Sequence, residues 1–156
     1  MPADAEYHER LGVPLRWWVQ GTMLVASLWL AVVVATPGAV AYVVTAVAML
    51  LLGAGLVSYG GVRIAVADGE LRAGRAHIEG RHLGLVEALD AEQTRRTAGP
   101  EADARAYLVL RPYLKRAVKV EITDPDDPTP YWLVSSRRPE ELAGAVLALT
   151  RRSPGR

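Results

Sequence analysis

The stretch WWVQGTMLVASLWLAVVVATPGAVAYVVTAVAMLLLGAGLVSYGGV, Trp17 to Val62, contains no charged side chain and is interrupted once, at Thr36-Pro37-Gly38. A charge at the centre of a membrane-spanning helix costs roughly 2.5–3.5 kcal/mol, so a run this long without one points to lipid. One helix crosses about 30 Å of hydrocarbon with about 20 residues, which makes room here for two crossings and a tight turn. The expected helices are 17–36 and 39–59, with Pro37-Gly38 as the turn. The Val and Leu side chains of each run favour insertion by roughly 2.4–5 kcal/mol. Trp17, Trp18 and Tyr59 are placed to mark one interface and Tyr42 the other.

A cleaved signal peptide is the main rival, with Ala39-Val40-Ala41 as a small-x-small site. The apolar run exceeds the usual length, however, and a second run follows at once. A buried soluble hairpin would need polar outer faces that are absent. Arg10 and Arg16 precede the first run, and Arg63, Arg72, Arg75 and Arg81 follow the second. The turn carries no basic residue, so both termini are expected in the cytoplasm of a multi-pass protein of the cell membrane. Small residues recur at Ala39, Ala46, Gly53 and Gly60, and at Ser27, Ala31 and Ala35. They suit packing within the hairpin, the reading favoured by composition, or a homo-oligomer interface.

After Val62 the period changes to two. Val62, Ile64 and Val66 alternate with Arg63, Ala65 and Ala67, a half-buried strand, and Asp68-Gly69 is a hairpin turn signal. Extended segments follow at 70–75, 76–79 and 82–90. Asp90 with Gln93 caps a short helix over 91–97 that ends at Gly99-Pro100. Strands are expected at 107–110, 117–123 and 131–135, the last two separated by a proline-rich turn, 124–130. Pro139, Glu140, Glu141 and the pair Arg151-Arg152 mark the two ends of a final helix with Leu142, Val146 and Leu149 inward. Six or seven strands and a closing helix describe a small barrel plugged by that helix. The chain thus divides into an N-terminal segment (1–16), the two helices (17–59), a soluble domain (62–152) and a tail (153–156). Only Gly60 and Gly61 separate the second helix from the first strand, so the soluble domain is expected close against the bilayer.

From Arg63 to the end there are 16 Lys+Arg against 14 Asp+Glu, a balance unlike that of a nucleic-acid binder. The absence of cysteine excludes disulfides and thiolate chemistry. Asp124, Asp126 and Asp127 lack the Gly turn and distal Glu of a calcium loop and read as turn formers. His77 and His82 fall on opposite faces of an extended segment, and His8 stands apart, so no metal site is assembled. Ser135-Ser136 lacks a nucleophile elbow. No cofactor is expected. The most informative cluster is Arg111, Lys115, Arg116, Arg137 and Arg138, which could gather at one rim of the strands and receive phosphate or carboxylate. The competing reading pairs these arginines with Glu121, Glu140 and Glu141.

The run Arg63–Asp90, ending in RHLGLVEALD, resembles the opening of bacterial pleckstrin-homology-like domains, and PYWLVSSRRPEELAGAVLAL (Pro130–Leu149) resembles their last strand and helix. Across ERLGVPLRWW, VADGELRAG, EALDAEQTRR, RAYLVLRPY and DPTPYWLVSSRRPEEL, the whole chain is similar to an actinobacterial two-helix membrane family, domain-of-unknown-function family 3093. That resemblance implies fold class and placement: a membrane helical hairpin followed by an α+β or all-β pleckstrin-homology-like domain. It implies no catalytic residue. The expected role is a non-enzymatic module that binds membrane lipid or a protein partner. The alternative is an accessory subunit of a membrane-embedded enzyme or transporter, disfavoured because the crossings hold no ionisable group.

Overall fold

The computed structural model describes residues 6–36 and 38–153; Pro37 of the expected turn, the first five residues and the last three of the tail lie outside that range. The chain divides into two units: Leu11–Val62, and a discontinuous unit made of the residues up to Arg10 together with those from Arg63 onward.

In the first unit, α1 (Leu15–Ala35) and α2 (Ala39–Tyr59) are 21 residues each. Helix α1 starts two residues before the expected boundary because Pro14, in extended conformation, serves as its N-cap residue and its carbonyl accepts from Trp17 N at 3.0 Å. Both helices are long and apolar enough to cross a membrane, and only 6% of each apolar window is buried. A core helix of a soluble protein would hide most of that surface.

The hairpin closes where a small residue on one helix admits a large one from the other. A Cβ at Gly21 would lie 2.8 Å from Leu52 Cδ1, so nothing larger than glycine fits there without a shift. Val25 and Ala41 are buried, and the Trp17 and Tyr59 rings stack at 6.3 Å. The small-residue stripes do not carry this packing. Ala39, Ala46, Ser27, Ala31 and Ala35 are exposed, and a Cβ at Gly53 would meet nothing within 4 Å. Gly60 alone of the stripe is crowded: a Cβ there would lie 3.0 Å from Val13 N.

The second unit has eight strands among the described residues, in two separate four-stranded sheets. The first has the order β1 (Tyr7–Leu11), β2 (Val62–Ala67), β3 (Glu70–Ala73), β4 (Ala76–Glu79). Asp68 and Gly69 take φ of 54° and 81°, the double positive-φ turn that Asp-Gly favours. Ile64, Val66, Leu71, Ala73 and Ile78 are buried while Arg63, Arg72, His77 and Glu79 are exposed, as the period of two demands.

The second sheet has the order β5 (Leu83–Leu89), β7 (Ala117–Ile122), β8 (Tyr131–Ser135), β6 (Tyr107–Val109). A 3-10 turn, Gly80–His82, leads into β5. Strand β8 is buried at every position because it is flanked on both edges and covered on both faces. On one face, Leu89, Ala117, Tyr131 and Leu133 cluster with Ala98, Ala106 and Leu110. Between β5 and β6, α3 (Ala91–Ala98) starts in a capping box: Gln93 N donates to Asp90 Oδ1 at 2.8 Å and Asp90 N to Gln93 Oε1 at 2.9 Å. The last helix, α4 (Pro139–Arg152), packs on β5 and β7 with Leu142, Val146 and Leu149 buried.

The expected closed barrel is not formed. The strands pair in two separate sets, and the second sheet ends on the three-residue β6, which pairs with β8 in parallel, with no ladder joining it to the first sheet among the described residues. The sheets are linked by Tyr107, whose ring lies 5.0 Å from Trp132 and whose hydroxyl donates to the Ala73 carbonyl at 3.2 Å.

Thr94 on α3 is buried, and its hydroxyl has no hydrogen-bond partner among the described residues. A desolvated hydroxyl left unpaired costs free energy that an isosteric methyl does not. Thr94→Val is therefore expected to raise stability by about 1 kcal/mol, read by chemical unfolding of the full chain in detergent.

Candidate functional site

Strand β1 lies in the N-terminal segment, where residue patterns announce no element, yet it supplies a buried carboxylate with three hydrogen-bond donors. Its pattern places Tyr7, Glu9 and Leu11 inward and His8 and Arg10 outward. Glu9 is thereby carried into the interior, where it is 7% exposed. Its carboxylate accepts from Ser136 Oγ at 2.6 Å, Tyr7 OH at 2.8 Å and the Arg137 backbone N–H at 2.9 Å. Three donors, two of them hydroxyls at short distance, replace the water that a buried carboxylate loses.

Ser136, immediately after β8, is the hub. It is 1% exposed, its Oγ lies 3.3 Å from Tyr7 OH, and it accepts from Arg138 N at 3.0 Å. Its own N–H donates to the Arg116 carbonyl at 3.2 Å. Burial pushes the Tyr7 phenol up to about 12; the Ser136 hydrogen bond opposes that rise and the Glu9 carboxylate adds to it. The Arg138 guanidinium sits 5.7 Å from the Tyr7 ring centroid, within cation–π range. The junction thus joins the strand before the hairpin to the turn between β8 and α4.

Around this junction the structure gathers four of the five rim residues. The parallel β6–β8 pairing sends Arg111 out at the end where β8 leads to Arg137 and Arg138, and Arg111 N donates to Ser135 Oγ at 3.1 Å. The antiparallel β7–β8 pairing sets Ala117 opposite Ser135, which brings Arg116 to the same end. Arg116 donates to Glu140 Oε1 at 2.9 Å and to the Arg137 carbonyl at 3.3 Å, and Arg138 donates to Glu141 Oε2 at 2.9 Å. Lys115 is exposed beside Arg116. Both expectations from sequence therefore meet here: the basic residues share one rim, and Glu140 and Glu141 take up two of them. Glu121 does otherwise, accepting from Leu85 N at 3.3 Å.

The other candidates are turn chemistry. Asp124 Oδ1 accepts from Asp126 N at 3.0 Å, and Asp127 Oδ1 from Thr129 N at 2.9 Å. The Thr129 hydrogen bonds hold the Asp127 carboxyl below its usual value. His82 Nδ1 lies 3.5 Å from Asp124 Oδ1, and Arg81 Nε donates to His82 Nε2 at 2.9 Å. His77 is exposed on β4. Among the described residues no group of three or more His, Asp or Glu is arranged to hold a metal ion.

A family model described as protein of unknown function (DUF3093) matches residues 6–146. The chain belongs to that family. The match begins at the residue before β1 and ends within α4, so the DUF3093 unit includes the strand before the hairpin as well as everything between. No curated protein and no solved structure matches the chain. The junction of Tyr7, Glu9 and Ser136 escapes a reading of the sequence because a carboxylate at a core position breaks the apolar alternation of a strand. The signal that would find it is Tyr7 and Leu11 four apart, flanking Glu9 at the matching inward position.

Proposed function

We propose that this DUF3093 protein is an integral membrane protein whose two helices cross the cell membrane with both termini in the cytoplasm. There it presents a pleckstrin-homology-like module that binds a protein partner or a lipid headgroup, without catalysis. The observation that carries the reading is the pairing of β1, which precedes the hairpin, with β2, which follows it, in one sheet. Strands pair at about 4.8 Å, which supports a chain that returns to the side it left. Arg10, Arg16, Arg63, Arg72 and Arg75 flank the helices on that side and favour the cytoplasm.

The pleckstrin-homology likeness is supported at the level of the strand–turn–strand opening and the final strand followed by a packed helix; the open sheets depart from it. Binding is assigned to the rim. Arg137 is exposed there beside Arg138, and Lys115 is exposed next in sequence to Arg116, a setting suited to phosphate or carboxylate. The test uses the full chain in nanodiscs of neutral lipid, offered vesicles with and without anionic lipid. Lys115→Glu with Arg137→Glu is expected to weaken capture of anionic vesicles at least about tenfold. Unchanged capture by the double variant would remove the rim as the binding surface.

A further inference from the structure

We infer that β1 is a strap: the folded unit is completed only when the hairpin has brought the chain back to its starting side, and Glu9 fastens the strap once it arrives. This rests on the reading that both helices cross a membrane.

Connectivity supplies the first step. Residues 12–14 alone separate β1 from α1, and Gly60 and Gly61 alone separate α2 from β2. With a hydrocarbon core about 30 Å thick, no slack in either connector lets β1 reach β2 through it. Pairing is therefore open to a chain with two crossings and closed to a chain with one.

The second step is what β1 needs from the rest of the unit. It has five residues, lies at a sheet edge and has only Tyr7 and Leu11 as apolar inward groups. So short an edge strand with a carboxylate at its inward centre has little tendency to hold its place by apolar contact. Its hold comes from Glu9, whose partners Ser136 and Arg137 lie late in the soluble sequence, between β8 and α4. The fastening sites are thus made late, by residues translated well after both helices. In a chain with one crossing, Ser136 Oγ, Arg137 N–H and the β2 edge have no strap to meet. The unit is then left with donors that burial leaves unmatched, and with an open strand edge that invites non-native pairing.

The test follows two properties of the full chain in membranes: the side on which each end lies, and the amide exchange of residues 62–67. Because the protein has no cysteine, His8→Cys and Glu101→Cys report the two ends and Gly38→Cys the turn, each with an impermeant maleimide. Leu50→Arg with Leu51→Arg places two charges at the middle of α2, on exposed positions, to block the second crossing. The parent hairpin is expected to show both ends on one side and slow exchange over 62–67. The blocked hairpin is expected to show ends on opposite sides and exchange at least about 100-fold faster there. Glu9→Ala in the intact hairpin is expected to keep both ends on one side while accelerating the same amides. Opposite-sided ends with slow exchange over 62–67 would overturn the strap alone. Labelling of Gly38→Cys on the same side as both ends in the parent would overturn the crossing itself, and the strap's dependence on it.

Discussion

Glu9→Ala is expected to destabilise the folded unit by roughly 3–5 kcal/mol, the largest loss expected for a single side chain that touches no apolar cluster. The alanine removes the acceptor shared by Ser136 Oγ, Tyr7 OH and Arg137 N–H, at 2.6, 2.8 and 2.9 Å. The two hydroxyl bonds are buried and the backbone bond is half-buried, so water does not readily replace the carboxylate. Glu9→Gln keeps the shape and one acceptor oxygen but brings a donor amide toward other donors, so about half the loss is expected to persist. Chemical unfolding of the full chain in detergent, read by exchange over 117–122, gives both values. A cost under about 1 kcal/mol for the alanine would mean that the junction is not a fastening at all.

The second large effect is alkaline. Because the folded state raises the Tyr7 phenol from 10.0 to about 12, it holds the neutral form that the unfolded chain gives up earlier. The stability linked to this rise is fully present below pH 10 and is lost as pH climbs from 10 toward 12. Its size is at most about 2–3 kcal/mol, the equivalent of a hundredfold change in proton affinity before solvent screening reduces it. Tyr7→Phe lacks the titrating group. It is expected to be less stable than the parent by about 1.5–3 kcal/mol at neutral pH, through the lost bond to a carboxylate. That gap is expected to close above about pH 11. Parallel pH profiles of the two chains check it; a gap that stays constant to about pH 12 would place the Tyr7 titration elsewhere.

Much of the architecture is legible in residue patterns with an unambiguous physical cause. The uncharged run, the Asp68-Gly69 turn, the Asp90/Gln93 cap and the Pro139 start each depend on local chemistry, and each occurs in the structure close to its expected position. What escapes depends on long-range pairing. Nothing local in Tyr107–Val109 announces a parallel partner in β8. The β5–β7 irregularity falls at Gly84, where an added Cβ would lie 2.9 Å from the Thr123 side chain and 3.1 Å from that of Glu121. The parallel β6 at the edge and the division into two sheets replace the expected barrel.

The functional side divides similarly. Arg111, Arg116, Arg137 and Arg138 are recognisable as a cluster because strand ends can be located from local pattern, and the pairing brings them to one rim. Glu140 and Glu141, expected as favourable residues at a helix start, also take up Arg116 and Arg138. Glu9 is out of reach because its partners lie 127 and 128 residues away. The small-residue stripes mislead for a different reason: Gly21, outside them, makes the close helix contact, and Ala and Gly are too common in these helices for spacing alone to identify the packed face.

The measurement that bears most directly on all of this is a three-position accessibility experiment on the otherwise cysteine-free chain in intact cells and inverted vesicles. Thiols placed at His8 and Glu101 are predicted to react only from the cytoplasmic face, and one at Gly38 only from outside. A Gly38 thiol shielded from the outside, or His8 and Glu101 thiols reacting from opposite faces, would contradict a hairpin that leaves the folded unit and returns to it.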